Sequence, residues 1–268
     1  MCELLAISAR LPTTVELSLD ELARHGGATG PHRDGWGVGF IQQGDALVLR
    51  EPEAASESHL LACAKHHALR SSIVLAHIRR ATQGPRLLRN TQPFARELGG
   101  RVHLFAHNGM VPGVEADARF PVHRFQRIGD TDSEHAFCAL LERLAPLWET
   151  GMPSLDARLA EVVAFAAELR SLGPANFLYT DGEVVFAHGH RRKHDSGEIR
   201  APGLHVLCRT CTAEADGVPM VGVMIARDEE QQVALVASVP LSGEHWEALA
   251  EGDVLVLRDG RVIRRESA

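Results

Sequence analysis

The chain has 268 residues, 45% hydrophobic and 24% charged, an ordinary globular composition with ample material for a core. A formal net charge of -7 argues against a phosphate-backbone binder, because neutralising nucleic acid requires concentrated Lys and Arg. No stretch approaches the roughly 18 apolar residues that span a bilayer, and five cysteines (Cys2, Cys63, Cys138, Cys208, Cys211) form an odd, sparse set that suits reduced thiols in a cytoplasmic setting.

The chain opens on Met1 and Cys2, followed by an apolar run, Glu3–Ala9, that reads as a strand. Methionine in front of a residue as small as cysteine is expected to be removed, which would leave a thiol and a free α-amine on one residue. "SLDELARHGG" then carries a Ser18-x-x-Glu21 capping box and a glycine stop, the marks of a helix. Strands are expected over Trp36–Gln42 and Ala46–Arg50, a helix in "ESHLLACAKHHALR", and strands over Ser72–Ile78 and Val102–Ala106. "TDSEHAFCALLERLAPLW" repeats the capping arrangement with Thr131 and Glu134, and "SLDARLAEVVAFAAELRSLG" is a further helix ending at Gly173-Pro174. "ANFLYTDGEVVFAHG" and "DVLVLRDGRVIRR" place Asp-Gly between apolar runs, a strong hairpin signal, and Leu204–Cys208 and Gln232–Val239 complete the strands. Strands, helices and strands again imply helices packed on antiparallel sheets, an α+β class, and the absence of any linker or repeat favours a single domain over residues 2–268.

Chemistry concentrates at strand ends. A thiol attacks a carbonyl only as thiolate, and a processed Cys2 would carry its own base, since an α-amine ordinarily titrates near pH 7.7–8.0; the competing reading is a small buried hydrophobe. Asn108 and Gly109 follow the apolar "RVHLF", where an amide and a backbone N–H could hold an oxyanion, although Asn-Gly is also a plain turn signal. Arg79 and Arg80 lie just past "SIVLAHI", placed to grip a carboxylate, and Asp132 could receive an ammonium group or simply favour a helix start. Thiol, arginine and aspartate together describe a site for a zwitterionic amino acid attacked at its side chain.

In order and spacing, "MC", "HRDGWGVGF", "HIRRATQG" with "NTQPF", "HNG" and "DTDSE" resemble a class II glutamine amidotransferase domain, strongly over residues 2–135 and more weakly, through "SVP" and "LAEGDVLVLRDG", to the end. The resemblance implies an N-terminal-nucleophile hydrolase fold, a four-layer αββα sandwich of two antiparallel sheets, needing no cofactor or metal. It implies Cys2 as nucleophile with its α-amine as base, Asn108 and Gly109 as oxyanion hole, and Arg79, Thr82 and Asp132 as contacts for the glutamine carboxylate and amine. Arg33 is expected to approach the site. The synthases of the family carry Trp and His in the substrate loop where this chain has Arg80 and Gln83, and the roughly 130 residues after "DTDSE" are too few for an added acceptor domain, so a separate synthase subunit would have to receive ammonia.

Three rival readings remain: a γ-glutamyl amide hydrolase trimming a biosynthetic intermediate, a Cys-His hydrolase using His77 or His107 as base, and a non-catalytic glutamine sensor. A zinc site from His188, His190, His194, Cys208 and Cys211 is disfavoured, because the histidines sit in a basic loop without a second tight Cys or His pair. Cys63 and Cys138 fall at apolar helical positions and read as core.

Overall fold

Strand β1 (Glu3–Thr13) alternates between two apolar environments: Leu4 and Ala6 pack in one cluster, Leu5, Ile7 and Ala9 in another. A strand buried on both faces needs cover on both sides, and the rest of the chain supplies it. The computed structural model describes residues 2–14, 16–194, 196–211 and 231–268, without the side chains of residues 16–19, 65 and 211. Met1 lies outside that description.

After β1 come α1 (Glu16–Ala23), β2 (Trp36–Gln42), β3 (Asp45–Glu51), α2 (His59–His66), β4 (Ser71–Ile78), β5 (Phe94–Leu98) and β6 (Arg101–Gly109). Two long helices follow, α3 (Asp132–Trp148) and α4 (Leu155–Leu169), then β7 (Ala175–Thr180), β8 (Val185–His188) and the short pair β9 (Arg192–Lys193) and β10 (Ile199–Arg200). The last strands are β11 (His205–Cys211), β12 (Gln231–Ala237), β13 (Glu247–Ala248), β14 (Asp253–Arg258) and β15 (Arg261–Ser267). One sheet runs β13-β11-β12-β1-β4-β2-β3 and the other β15-β14-β8-β7-β6-β5. Neighbouring strands pair antiparallel throughout.

Three apolar layers hold these elements together. Leu4, Leu75, Leu104, Ala106, Leu178 and Leu255 fill the space between the sheets. Leu22 of α1 and Leu61 of α2 cover the outer face of the first sheet, and Phe137 and Phe165 of α3 and α4 cover the outer face of the second. The expected four-layer αββα sandwich of two antiparallel sheets is the observed architecture. Among the described residues no helix is long and apolar enough to cross a membrane.

Local chemistry explains most boundaries and several departures. Thr131 caps α3 as expected, its hydroxyl accepting from Glu134 N at 3.3 Å. The Glu134 carboxylate, however, accepts from Gly129 N (2.6 Å) and Ile128 N (3.2 Å) and pairs with Arg96 (2.5 Å), so it organises the preceding loop. Helix α1 begins at Glu16, which puts Ser18 inside the helix and not at its cap; the Ser18 side chain lies outside the described residues. Asp259-Gly260 forms the tight hairpin its sequence calls for, with φ of +51° and +76° and Arg258 opposite Arg261. At Asp181-Gly182 only the glycine has positive φ: Asp181 Oδ1 accepts from Glu183 N and Val184 N, and this local side-chain turn gives a longer connection.

Candidate active site

The register of β1 against β4 sets Glu3 opposite Ile78, so Cys2 at the mouth of β1 meets the Arg79-Arg80 segment that leaves β4. Arg80 N–H donates to Cys2 Sγ at 3.4 Å, and the thiol faces Arg80 O at 3.5 Å. Burial pushes the thiol pKa up, while the Arg80 backbone hydrogen bond and the Arg79 charge work against that rise. Burial thus disfavours the thiolate form of this sulfur. Neither histidine of the Cys-His alternative bonds to the Cys2 sulfur. Both ring nitrogens of buried His77 lack a hydrogen-bond partner, and burial lowers its pKa to about 3. His107 faces the other way, with Nδ1 at 2.9 Å from Ser133 Oγ.

Arg79 is buried, and its guanidinium donates to Gln83 O (2.9 Å), Gly84 O (3.1 Å) and Pro85 O (3.1 Å). Its backbone is clamped to the preceding glycine-rich turn by Arg79 N to Gly35 O (2.7 Å) and Asp34 N to Arg79 O (3.1 Å). Asp34 also holds the following loop, accepting from Ala81 N at 2.8 Å. The Asp34 carboxylate thus ties the glycine-rich turn to the loop that follows Arg79. Arg33 does not approach it: its guanidinium donates to Gly27 O at 2.6 Å and lies 3.8 Å from Glu57 on the surface.

Asp132, at the start of α3, is buried too. Its carboxylate accepts from Val111 N (2.9 Å) and Ser133 N (2.8 Å), and the Gln83 amide, oriented as hydrogen bonding demands, donates to it at 3.0 and 3.3 Å. The loop that satisfies Arg79 with its carbonyls therefore satisfies Asp132 with a side chain. Thr82 is exposed on the same loop.

Asn108 and Gly109 are not past the end of a strand but inside it, opposite Asn176 and Ala175 of β7. Asn176 Nδ2 donates to Asn108 O at 3.0 Å. The Asn108 amide points between the sheets, 3.3 Å from Ser238 Oγ, and that hydroxyl accepts from Leu4 N at 3.0 Å, two residues from the thiol. Gly109 passes so close to the Pro174 carbonyl that any side chain there would collide with it. Contacts thus close a ring: Cys2 to Arg80, the loop to Asp132, Asp132 to Val111 just past Gly109, and Asn108 through Ser238 back to Leu4.

Ser238 in this ring, and Asp34 and Asn176 that brace it, are not among the expected site residues. The signal for Asp34 is its place in "HRDGWG" and that for Ser238 its place in "SVP", while a lone Asn in a strand carries none. The His-rich segment is not part of the ring. His188 Nδ1 meets Asp253 O at 3.2 Å, His190 Nδ1 accepts from Ala175 N at 3.3 Å, and among the described residues no group of three or more metal-ligating side chains stands together.

Comparison with known proteins places the chain in a family. The family model "Glutamine amidotransferases class-II" matches residues 1–268. YafJ of Escherichia coli (strain K12) is 34% identical over 255 residues, covering 94% of this chain and 96% of its own. MJ1515 of Methanocaldococcus jannaschii is 30% identical over 277 residues, covering 98% of this chain and 71% of its own. Among solved structures, a "predicted glutamine amidotransferase" from Pseudomonas aeruginosa superposes with a TM-score of 0.67 at 26% identity, covering 98% and 100% of the two chains. The glutamine phosphoribosylpyrophosphate amidotransferase of B. subtilis shares the fold at 14% identity, with a TM-score of 0.61 over 99% of this chain and 49% of that one. The chain belongs to the class II glutamine amidotransferases, enzymes that act on the amide nitrogen of glutamine.

Proposed function

We propose that the chain, working as one domain over residues 2–268, hydrolyses the side-chain amide of glutamine through a γ-glutamyl thioester on Cys2. With Met1 removed, the α-amine of Cys2 takes the thiol proton as sulfur attacks the amide carbon. The carbonyl electron pair moves onto oxygen, where the Asn108 amide and Gly109 N–H stabilise it. The protonated amine then gives its proton to the departing nitrogen, the C–N bond breaks and ammonia leaves. Water adds to the thioester, the C–S bond breaks, and glutamate is released with the thiol restored. Arg79 would bind the substrate carboxylate, Asp132 its ammonium group, and Thr82 would contribute from the same loop.

The observation that carries this reading is the setting of Cys2: its thiol pKa is raised, its hydrogen bonds run to a backbone, and the nearby histidines do not bond to it. A base on the same residue meets the need that this leaves. The test compares processed protein with a form whose Cys2 amine is blocked by retained Met1 or a tag. Processed protein is expected to release glutamate from glutamine and to take a single adduct from an electrophilic glutamine analogue, an adduct lost in Cys2→Ala. Full activity in the blocked form would sink the mechanism. A panel of γ-glutamyl amides then settles the substrate: selective turnover of a larger amide would replace glutamine with a biosynthetic intermediate, and binding without turnover would make the protein a sensor. We place the enzyme in the cytoplasm, delivering ammonia to a separate synthase subunit; co-purification of such a subunit, with glutamine-dependent product formation by the pair, tests this.

A further inference from the structure

The hydrogen bonds around Ser238 do not balance with the Asn108 amide as it stands. Ser238 Oγ receives two donors, Leu4 N–H at 3.0 Å and Asn108 Nδ2 at 3.3 Å, which leaves its own hydrogen without an acceptor among the described residues. Asn108 Oδ1 is buried and has no partner either. Oxygen and nitrogen of an amide occupy nearly the same positions, so hydrogen bonding decides which is which. Exchanging them lets the Ser238 hydroxyl donate to Oδ1 while still accepting from Leu4. Two orphans become one, an NH2 group with both hydrogens unspent at the place where Oδ1 stood. A buried donor with no protein partner is what a developing oxyanion requires.

We propose that Ser238 is a positioning residue for the reaction: anchored by Leu4 N–H, its hydroxyl binds the Asn108 carbonyl oxygen and turns the amide NH2 toward the oxyanion. Several features support this role. Ser238 is fully buried, and its own N–H donates to Leu4 O at 3.0 Å, so the hydroxyl is fixed to the strand that carries the nucleophile. Asn176 fixes the Asn108 backbone at the same time, leaving the amide rotation as the remaining freedom. The inference rests on the reading of Asn108 as oxyanion donor.

Ser238→Thr and Ser238→Val have the same shape and differ in the hydroxyl alone, so the pair isolates it. Glutaminase kinetics would be measured for both, for Asn108→Ala, and for Asn108→Ala combined with Ser238→Val. Asn108→Ala is expected to lower kcat about 100-fold or more. Ser238→Val is expected to lower kcat about tenfold with KM within about threefold, the threonine to stay near wild type, and the double variant to fall no further than Asn108→Ala. Binding of an aldehyde analogue of glutamine, which forms a tetrahedral adduct on Cys2, should weaken with kcat in the valine variant while glutamate binding holds. Ser238→Ala takes the place of valine in the cycle if valine does not fold. Equal kcat for valine and threonine, or a full additional loss on the Asn108→Ala background, overturns the role of Ser238. An Asn108→Ala enzyme with wild-type kcat instead overturns the oxyanion reading beneath it.

Discussion

The two halves of the site treat buried polar groups in opposite ways. In the half proposed for substrate recognition, Arg79 and Asp132 are buried but satisfied, the arginine by three successive carbonyls and the aspartate by Val111 N, Ser133 N and Gln83. In the half proposed for the oxyanion, the Asn108 amide keeps an atom with no partner among the described residues. Leaving a buried charge unpaired costs far more than leaving one amide atom short, so the charges are quenched at rest and the amide is not. On the proposed mechanism, substrate recognition exchanges partners, while oxyanion stabilisation supplies a partner to the Asn108 amide.

The largest break in this comparison removes the group both halves serve. Cys2→Ala is expected to abolish glutamate release, with a loss of at least about 10⁴-fold in kcat, while thermal unfolding barely moves. Next, Arg79→Ala should lower kcat/KM about 10- to 100-fold, mainly through KM, and destabilise the 81–85 loop whose carbonyls it binds; a loss confined to kcat would contradict its assignment to recognition. On the fixed side, Asn176→Ala leaves Asn108 O and Arg191 O each short of a donor. A stability loss of about 1–3 kcal/mol is expected by denaturant titration, together with a fall in kcat and little change in KM.

The smallest effect sits under the nucleophile strand. Glu3, next to Cys2, pairs with His25 at 2.8 Å, and that hydrogen bond raises the His25 pKa, with Glu21 helping and burial and Arg24 opposing. A raised folded-state value means stabilisation that is fully present below about pH 6.5 and is lost as pH climbs through the raised value. His25 is partly exposed, so the contribution should stay under about 1 kcal/mol. Unfolding midpoints of wild type and His25→Ala should converge as pH rises, and a gap that widens toward alkaline pH would reverse the sign of this account.

Much of the fold was legible because strands buried on two faces, capped helices and Asp-Gly turns write their physics locally. Strand β2 begins and ends where its apolar run does, and β14 to β15 turns at the expected dipeptide. Strand β5 was missed: "FAREL" is short and charged, and its hairpin is set by Gly99-Gly100, both at positive φ. In the site, the residues with distinctive chemistry, Cys2, Arg79 and Asp132, could be singled out from the sequence alone. Asn176 could not, and Ser238 stood out only as the first residue of "SVP", because what distinguishes them is the neighbour each meets across a sheet. Arg33 is expected near the site from its place in the glycine-rich turn, but it is Asp34 that bonds to the loop.

Strand β1 is flanked by β12 on one side and β4 on the other, and Leu5–Ala9 pair with residues 233–237. During synthesis, at roughly 5–20 residues per second, one edge of the nucleophile strand waits on the order of ten seconds or more for its partner to emerge. Ser238 arrives with that partner. A chain cut before residue 231 would carry the thiol, the arginine and the aspartate yet lack the strand that completes the sheet and the hydroxyl that aims Asn108. The proposed nucleophile is thus among the first residues made and among the last to gain its full surroundings, so a nascent or truncated chain should carry Cys2 as an ordinary thiol.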